Sequence, residues 1–184
     1  MPMDVINRVL TFWFDGNFED RRKVWFIKSN DFDAKIKIKF GDDVEKASTA
    51  KYDFLTQTPE GALGLIILLD QFPRNIFRGN PQTFATDLKA LRIAKQAVAD
   101  GLDANLTVVQ KVFFYLPFEH SENMEDQNQA LKLFEALGDE SYLKYAVAHR
   151  DVIERFGRFP HRNKMLGRAS TEEEIRFLKN FKSF

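Results

Sequence analysis

Hydrophobic residues recur along the chain at intervals of three and four positions, the spacing that places them on one face of a helix. Phe32, Ile36, Phe40 and Val44 follow one another in this way. Strand-like alternation of apolar and polar residues does not recur in the same manner. The pattern predicts an all-helical (all-α) fold of about eight or nine helices, joined by short loops and stacked as antiparallel pairs.

Helix boundary signals accompany this spacing. Thr58-Pro59 and Asn80-Pro81 each place a capping residue before a proline at the first helical position. Asp139 predicts the start of another helix. Ser170-Thr171-Glu172-Glu173 matches a capping box and predicts the start of the last helix.

The segment from Ala62 to Leu69 is apolar on every side, which predicts a helix in the middle of the fold. It is too short to span a bilayer, which needs about 20 residues. Neither a linker nor a low-complexity segment interrupts the chain. We therefore expect a single helical domain over residues 1–184.

Charge and cysteine content exclude several classes of function. Basic and acidic residues number 27 each, so no overall field favours nucleic acid or an anionic membrane. The chain has no cysteine, which removes disulfides, thiolate nucleophiles and cysteine-ligated metals. These features predict a cytoplasmic protein without nucleic-acid or membrane partners.

The first polar constellation follows the apolar segment directly and begins at Asp70. Asp70 lies at helical spacing from Leu63 and Ile66, so its carboxylate extends an apolar stripe, where an unpaired charge is costly. Arg74 or a distant arginine is the expected partner. A structural ion pair is favoured over a catalytic carboxylate, and Arg74 and Arg78 are candidate ligand-binding residues.

The second constellation places Glu119 beside His120, two residues after Pro117, which predicts the end of a helix. A carboxylate and an imidazole can form an acid–base pair or supply two metal ligands. Neighbouring positions in a loop often point apart, however, and Ser121 is accounted for as the N-cap of the next helix. Glu119 and His120 are candidate catalytic residues.

The third constellation is the arginine- and histidine-rich segment from Glu154 to Arg168. Gly157 and Pro160 predict a loop, and Phe156 and Phe159 are the expected anchors that hold it against the core. The cationic side chains around these anchors are expected to converge, and guanidinium groups bind carboxylate or phosphate through two N–H groups. The candidates for ligand binding here are Arg155, Arg158, Arg162, Asn163 and Arg168, with His161 as a candidate catalytic residue.

Histidine spacing and the absence of known motifs narrow the chemistry further. His149 lies on an apolar helix face, where a hydrogen-bonded core histidine is the expected role. A site built from His120, His149 and His161 is an alternative, but no pair has the i, i+4 spacing of helical metal ligands. We predict neither a metal nor a cofactor. G-x-S-x-G, H-E-x-x-H, Walker A and G-x-G-x-x-G motifs are all absent, which disfavours common esterases, zincins, P-loop and Rossmann enzymes.

Several uncommon strings span nearly the whole chain. They are Trp25-Phe26, Phe32-Asp33, Leu68 to Gly79, Pro117 to Glu122, Arg155 to Asn163, Leu166-Gly167-Arg168 and Ser170-Thr171. Together they resemble a bacterial family known as domain of unknown function 924. The resemblance implies an all-helical fold similar to tetratricopeptide-repeat domains, and it implies no activity. One departure is Phe54, where the family pattern often has tryptophan.

Three functions are compatible with these residues. The first is a binding module whose Arg/His-lined pocket takes a small anionic molecule or an acidic peptide. The second is a small hydrolase or transferase in which Asp70 or Glu119 works with His120 or His161 as acid–base groups. The third is that the polar strings only lock the helices together through ion pairs. We favour binding over catalysis, and expect anion binding to weaken as pH rises through the titration of His161.

Overall fold

The computed structural model describes residues 2–181, and over that range the chain is helical with no β-strand. A π-helical turn, Ile67–Gln71, joins two of its nine α-helical segments, α3 and α4. The predicted all-helical fold is therefore confirmed, with eight separate helices among the described residues. The segments are α1 (Pro2–Phe14), α2 (Asn30–Ser48), α3 (Pro59–Ile66), α4 (Phe72–Ile76), α5 (Asp87–Ala99), α6 (Val108–Glu119), α7 (Met124–Ala136), α8 (Glu140–Phe156) and α9 (Glu172–Asn180).

The described chain divides into two compact units. The first unit consists of residues 2–78 and 82–117, and the second of residues 79–81 and 118–181. The single domain over 1–184 and its tetratricopeptide-like stacking stay predictions, and residues 1 and 182–184 lie outside the described part. None of the described helices combines the length and the apolar character that crossing a bilayer requires.

The first unit is built around α3, the segment that the sequence predicts to be central. The residues from Gly61 in α3 to Leu69 in the π-helical turn that follows are all buried. Helices α1 and α5 pack against α3, and α2 packs against α4. Gly64 permits the close approach of α1, because a β-carbon at this position would lie 2.8 Å from the side chain of Ile6. Within this unit the predicted central position of the helix is confirmed.

Two predicted helix starts are confirmed by their caps. The hydroxyl of Thr58 accepts a hydrogen bond from the N–H of Gly61 at 3.1 Å, and Pro59 follows as the first residue of α3. A carboxylate oxygen of Asp139 accepts from the N–H of Ser141 at 3.0 Å at the start of α8. Each cap satisfies an N–H group that has no partner within its helix.

Two boundaries predicted from proline are wrong. Asn80-Pro81 opens only the short 3-10 turn Pro81–Phe84, and α5 begins at Asp87. Pro117 lies inside α6 rather than at its end, and the helix continues to Glu119. Proline at that position removes one backbone donor, but the apolar residues around it are buried, and their packing keeps the helix intact.

The caps of the last helices are also displaced from the predicted residues. Asn123, not Ser121, caps α7, and its side-chain oxygen accepts from the N–H of Glu125 at 2.8 Å. The capping box of α9 is formed by Thr171 and Glu174, one position later than the expected pair. In both places several capping residues are adjacent in the sequence, and the structure uses a later one.

Asp70 lies in the π-helical turn with its side chain fully buried. Its carboxylate oxygen is 3.3 Å from Nη1 of Arg74, and it accepts a hydrogen bond from the side chain of Gln71. Arg74 also donates to both carboxylate oxygens of Asp87, at 2.8 and 2.9 Å. The predicted pairing of Asp70 with an arginine is confirmed, and the partner is Arg74.

Replacing Asp70 with asparagine is expected to lower the free energy of unfolding by about 3–5 kcal/mol, because the change removes one partner from a buried ion pair. Chemical denaturation of Asp70→Asn and wild type measures the difference. Asp42→Asn is the control, since Asp42 is an exposed aspartate of the same unit and should unfold like wild type. Equal midpoints for Asp70→Asn and wild type would contradict a buried pair.

Candidate functional site

The loop after α8 in the second unit is anchored by two phenylalanines, as the sequence predicts. Helix α8 ends because Gly157 adopts a left-handed conformation with φ of 66°, and its N–H bonds to the carbonyl of Ile153. Phe159 is fully buried in a cluster with Ile153. The ring of Phe156 packs against Phe177 of α9, with ring centroids 5.0 Å apart.

Arg158 is bound by Glu174 of α9. Its Nε and Nη2 groups donate to the two carboxylate oxygens at 2.6 and 2.8 Å. Glu174 is only 2% exposed, and it also accepts from the N–H of Thr171 at 2.7 Å and from the side chain of Asn163 at 3.3 Å. The hydrogen bonds from Arg158 in particular outweigh the effect of burial and lower the pKa of Glu174 to about 2.

Arg168 is held in the same manner by Glu122, which lies between α6 and α7. The two guanidinium nitrogens of Arg168 donate to the two carboxylate oxygens at 2.7 and 2.9 Å. Glu122 also accepts from the N–H of Phe159 at 2.8 Å, and Arg168 donates to Asn163 at 2.9 Å. Burial raises the pKa of Glu122, but the hydrogen bonds from Arg168 and Phe159 more than offset this and leave that pKa below its ordinary value.

Arg155 completes the set, with its guanidinium 2.8 Å from Glu173 in an ion pair exposed to solvent. Three of the arginines predicted to bind a ligand thus each engage a glutamate of the same unit. These pairs agree with the interpretation that the polar strings lock the second unit together. Ligand binding by Arg155, Arg158 and Arg168 stays a prediction.

The histidines of this unit gather around Phe159. Glu119, the last residue of α6, places a carboxylate oxygen 2.7 Å from Nδ1 of His149 in α8. Both side chains are buried, at 2% and 7% exposure. The ring of His120 is centred 6.2 Å from that of His149. Phe159 lies 5.7 Å from His149 and 5.6 Å from His161, measured between ring centroids.

The surroundings of His149 fix the position of its ring proton. Besides the carboxylate of Glu119, the backbone carbonyl of Tyr145 lies 2.9 Å from Nδ1. Both neighbours are acceptors, so Nδ1 must carry a proton to bond to either. In the neutral ring Nε2 is then the nitrogen without a proton, which is the form in which histidine acts as a base.

His161 and Arg162 lie on the other side of this cluster. Burial, followed by the nearby positive charge of Arg162, lowers the pKa of His161 to about 4. The guanidinium of Arg162 is stacked over the ring of Phe159, 4.5 Å from its centre. With this pKa His161 is neutral near pH 7. Its titration therefore lies well below neutral pH and cannot weaken anion binding as pH rises through neutrality.

Two residues of the second unit, His149 and Glu122, make contacts that the sequence does not predict. His149 was assigned a core role, and it is indeed buried, but its partner Glu119 comes from another helix. Glu122 is the last residue of the Pro117 to Glu122 string. Its pair with Arg168 could not be predicted, because the two residues are far apart in the sequence. One sequence signal could have indicated the pair of His149 and Glu119. A histidine on the apolar face of a helix needs a buried hydrogen-bond partner, and Glu119 is a carboxylate for which the sequence suggests no structural partner.

The candidates of the first unit lie in ion pairs of their own. Asp70 and Arg74 form the buried network described above. Arg78 donates through Nε and Nη2 to both carboxylate oxygens of Asp33, at 2.8 and 3.0 Å. Asn75 donates to the same carboxylate at 2.8 Å. Among residues 2–181, no group of three or more histidine, aspartate or glutamate side chains is arranged to hold a metal ion.

An all-helical chain with these polar strings matches a family of bacterial proteins of unknown function, DUF924, over residues 9–181. The chain belongs to this family, as its sequence resemblance indicated. A solved structure of a protein of unknown function from Agrobacterium tumefaciens, ATU0120, is similar to it, with 38% sequence identity and a TM-score of 0.92. That alignment covers 98% of this chain and 100% of the other. No curated protein matches the chain.

The depressed pKa of Glu174 predicts a specific acid sensitivity. The unfolded chain takes up a proton at this carboxyl near pH 4.5, whereas the folded chain does so only near pH 2. The stability contributed by Glu174 is therefore complete above pH 4.5 and lost as pH falls toward 2. Melting temperatures measured across this range should fall less steeply for Glu174→Gln than for wild type.

Glu173→Gln is the matched control for this experiment. Glu173 is adjacent in α9 and also pairs with an arginine, but both partners are exposed, so the pair contributes little. Its melting temperature should follow the wild-type curve. A wild-type slope for Glu174→Gln below pH 4.5 would refute the assignment.

Proposed function

We propose that the second unit is a general acid–base site for a small anionic substrate. In this proposal His149 is the base, Glu119 orients it, and Arg162 supplies positive charge for the substrate. The observation that carries the proposal is the buried 2.7 Å contact between Glu119 and Nδ1 of His149. A carboxylate that holds the Nδ1 proton of a histidine and leaves Nε2 as the base is the arrangement used in hydrolytic triads.

The neighbouring histidines support an acid–base role over a purely structural one. His120 and His161 are both partly exposed, and each lies near the buried His149. Burial is the main cause of the lowered pKa of His161, the positive charge of Arg162 is the next, and His149 adds a smaller effect in the same direction. Helix packing alone does not require such a cluster, whereas perturbed pKa values concentrate at functional sites.

The reaction that fits these groups is hydrolysis or group transfer. A neutral histidine removes a proton from water or from a hydroxyl group as that oxygen attacks the substrate, and it can return the proton to the leaving group. The charge of Arg162 favours a substrate bearing phosphate or carboxylate. The proposal does not use Asp70, whose carboxylate is fully buried in the first unit.

Chromogenic p-nitrophenyl phosphate and p-nitrophenyl acetate test the catalytic role. His149→Gln and Glu119→Gln are expected to lower turnover by about 100-fold or more, the usual contribution of a general base. Glu125→Gln, an exposed glutamate of the same unit, should retain wild-type turnover. Circular dichroism and melting temperature establish that each variant is folded.

Two results would contradict this role. One is an unchanged rate in folded His149→Gln, and the other is a wild-type protein that turns over neither ester. Long-range nitrogen–proton NMR spectra of the imidazoles give a direct check on the geometry. They should show that the neutral ring of His149 carries its proton at Nδ1 rather than at Nε2, and the opposite tautomer is incompatible with the proposal.

Anion binding without turnover is the second candidate function, favoured by the position of Arg162 beside His161. Arg162→Ala should weaken binding of inorganic phosphate by about 1.5–3 kcal/mol, the scale of a charged hydrogen bond. Lysine should rescue binding only in part, because it lacks the planar fork. Since the pKa of His161 is about 4, its titration should contribute no change in binding between about pH 6 and pH 8, where the ionisation of phosphate itself has an effect.

Calorimetric titration of wild type, Arg162→Ala and Arg162→Lys with phosphate measures these effects. Arg176→Ala is the control, because Arg176 is an exposed arginine of α9 in a loose pair with Glu172. If wild type gives no heat and Arg162→Ala only lowers folding stability, Arg162 has a structural role.

A further inference from the structure

A groove of about 270 Å³ in the first unit lies between the 3-10 turn Asp53–Gln57 and helix α5. Its wall on the α5 side includes Lys89, Ile93 and Ala97, which follow one another at intervals of four residues along one helix face. Arg92 lies beside this row, three residues after Lys89. The spacing brings two cationic side chains and two apolar ones to the same opening. The groove belongs to a different unit from the histidine cluster.

Lys89 is fixed in place within this groove. Its ammonium group lies 2.6 Å from a carboxylate oxygen of Asp53 and donates to the backbone carbonyl of Ala47 at 2.6 Å. The side chain is only 14% exposed. Two of its three N–H donors are thereby used within the protein, and Asp53 offsets its charge.

Arg92 differs from the other arginines. Among the described residues it makes no hydrogen bond, ion pair or ring contact, although it is exposed on the groove. Arg74 and Arg78 of the same unit each donate to both oxygens of an aspartate. A guanidinium with all five donors available is suited to bind a carboxylate or phosphate through two parallel hydrogen bonds.

The apolar side of the groove completes the site. Ile93 and Ala97 line it next to Arg92, and Ala97 is buried. Phe54 and Leu88 are adjacent in sequence to the groove residues Asp53 and Lys89, and they are unusually exposed for large apolar side chains, at 56% and 76%. A ligand that pairs an anionic group with a short apolar body satisfies both kinds of surface.

We propose that this groove binds a small organic anion, with its anionic head on Arg92 and its apolar stem on Ile93 and Ala97. The ammonium group of Lys89 adds positive potential to the site. It has fewer hydrogen bonds to offer a ligand than Arg92, because it already contacts Asp53 and the carbonyl of Ala47. Hexanoate, acetate and inorganic phosphate are suitable probes. Hexanoate should bind most tightly, because only hexanoate offers both a carboxylate and an apolar stem.

Nitrogen–proton correlation spectra of the full chain, recorded during titration with each probe, test the proposal. Hexanoate should shift the amide signals of residues 53–57 and 89–97 in a saturable manner. Arg92→Gln should weaken its binding by roughly tenfold or more, as expected for loss of a charged hydrogen bond. Arg92→Lys should recover part of the loss.

Lys95→Gln is the matched control, because Lys95 is an exposed cation of the same helix that does not line the groove. It should bind hexanoate like wild type. Three results would overturn the proposal: no shift in these two segments, equal binding of hexanoate by wild type and Arg92→Gln, or an equal loss in Lys95→Gln, which would indicate a general charge effect. Arg92 is exposed, so its variants are expected to fold normally.

Discussion

Buried carboxylates constrain the internal geometry of both units, because a carboxylate removed from water must be held by cations or N–H donors. In the first unit Asp70 is met by Arg74 and Gln71, and that same arginine reaches Asp87 at the start of α5. In the second unit Glu174 collects an arginine, an asparagine and a backbone N–H. The polar strings of the sequence thus largely supply the partners that these carboxylates require.

This requirement separates the arginines from the histidines as candidates for chemistry. Arg158 and Arg168 form two-pronged bonds to glutamates of their own unit, and such bonds fix the loop between α8 and α9. The same requirement accounts for the Nδ1 proton of His149, which is the donor to the buried carboxylate of Glu119, but it does not account for the packing of the imidazoles on Phe159. Glu119 holds one nitrogen of His149, and the ring packs on Phe159, which also contacts His161 and Arg162. The ion pairs hold the loop in place, and the loop in turn places Phe159 against His149 and carries His161.

Features determined by near neighbours in the sequence were predictable. The cap at Thr58, the end of the helix at Gly157 and the anchoring role of Phe159 all depend on residues within a few positions, and all were predicted. The exact cap could not be predicted where two capping residues lie within one turn, as Ser121 and Asn123 do, and Ser170 and Thr171. Partners from distant helices were not predictable, since no local pattern pairs Glu119 with His149 or Glu122 with Arg168. Those pairs follow from tertiary packing within the second unit, which hydrophobic spacing does not specify.

Glu122 also bears on the order in which the second unit assembles. It contacts Phe159 and Arg168 across 37 and 46 positions of the chain. The entropy lost in closing a loop grows with its length, so local contacts such as the cap at Gly157 form before these distant ones. During synthesis, a chain that has emerged only as far as Phe156 contains both Glu119 and His149 but lacks Phe159, the ring on which the imidazole rests. The histidine cluster can therefore form only after the segment that contains Phe159 and His161 has emerged from the ribosome.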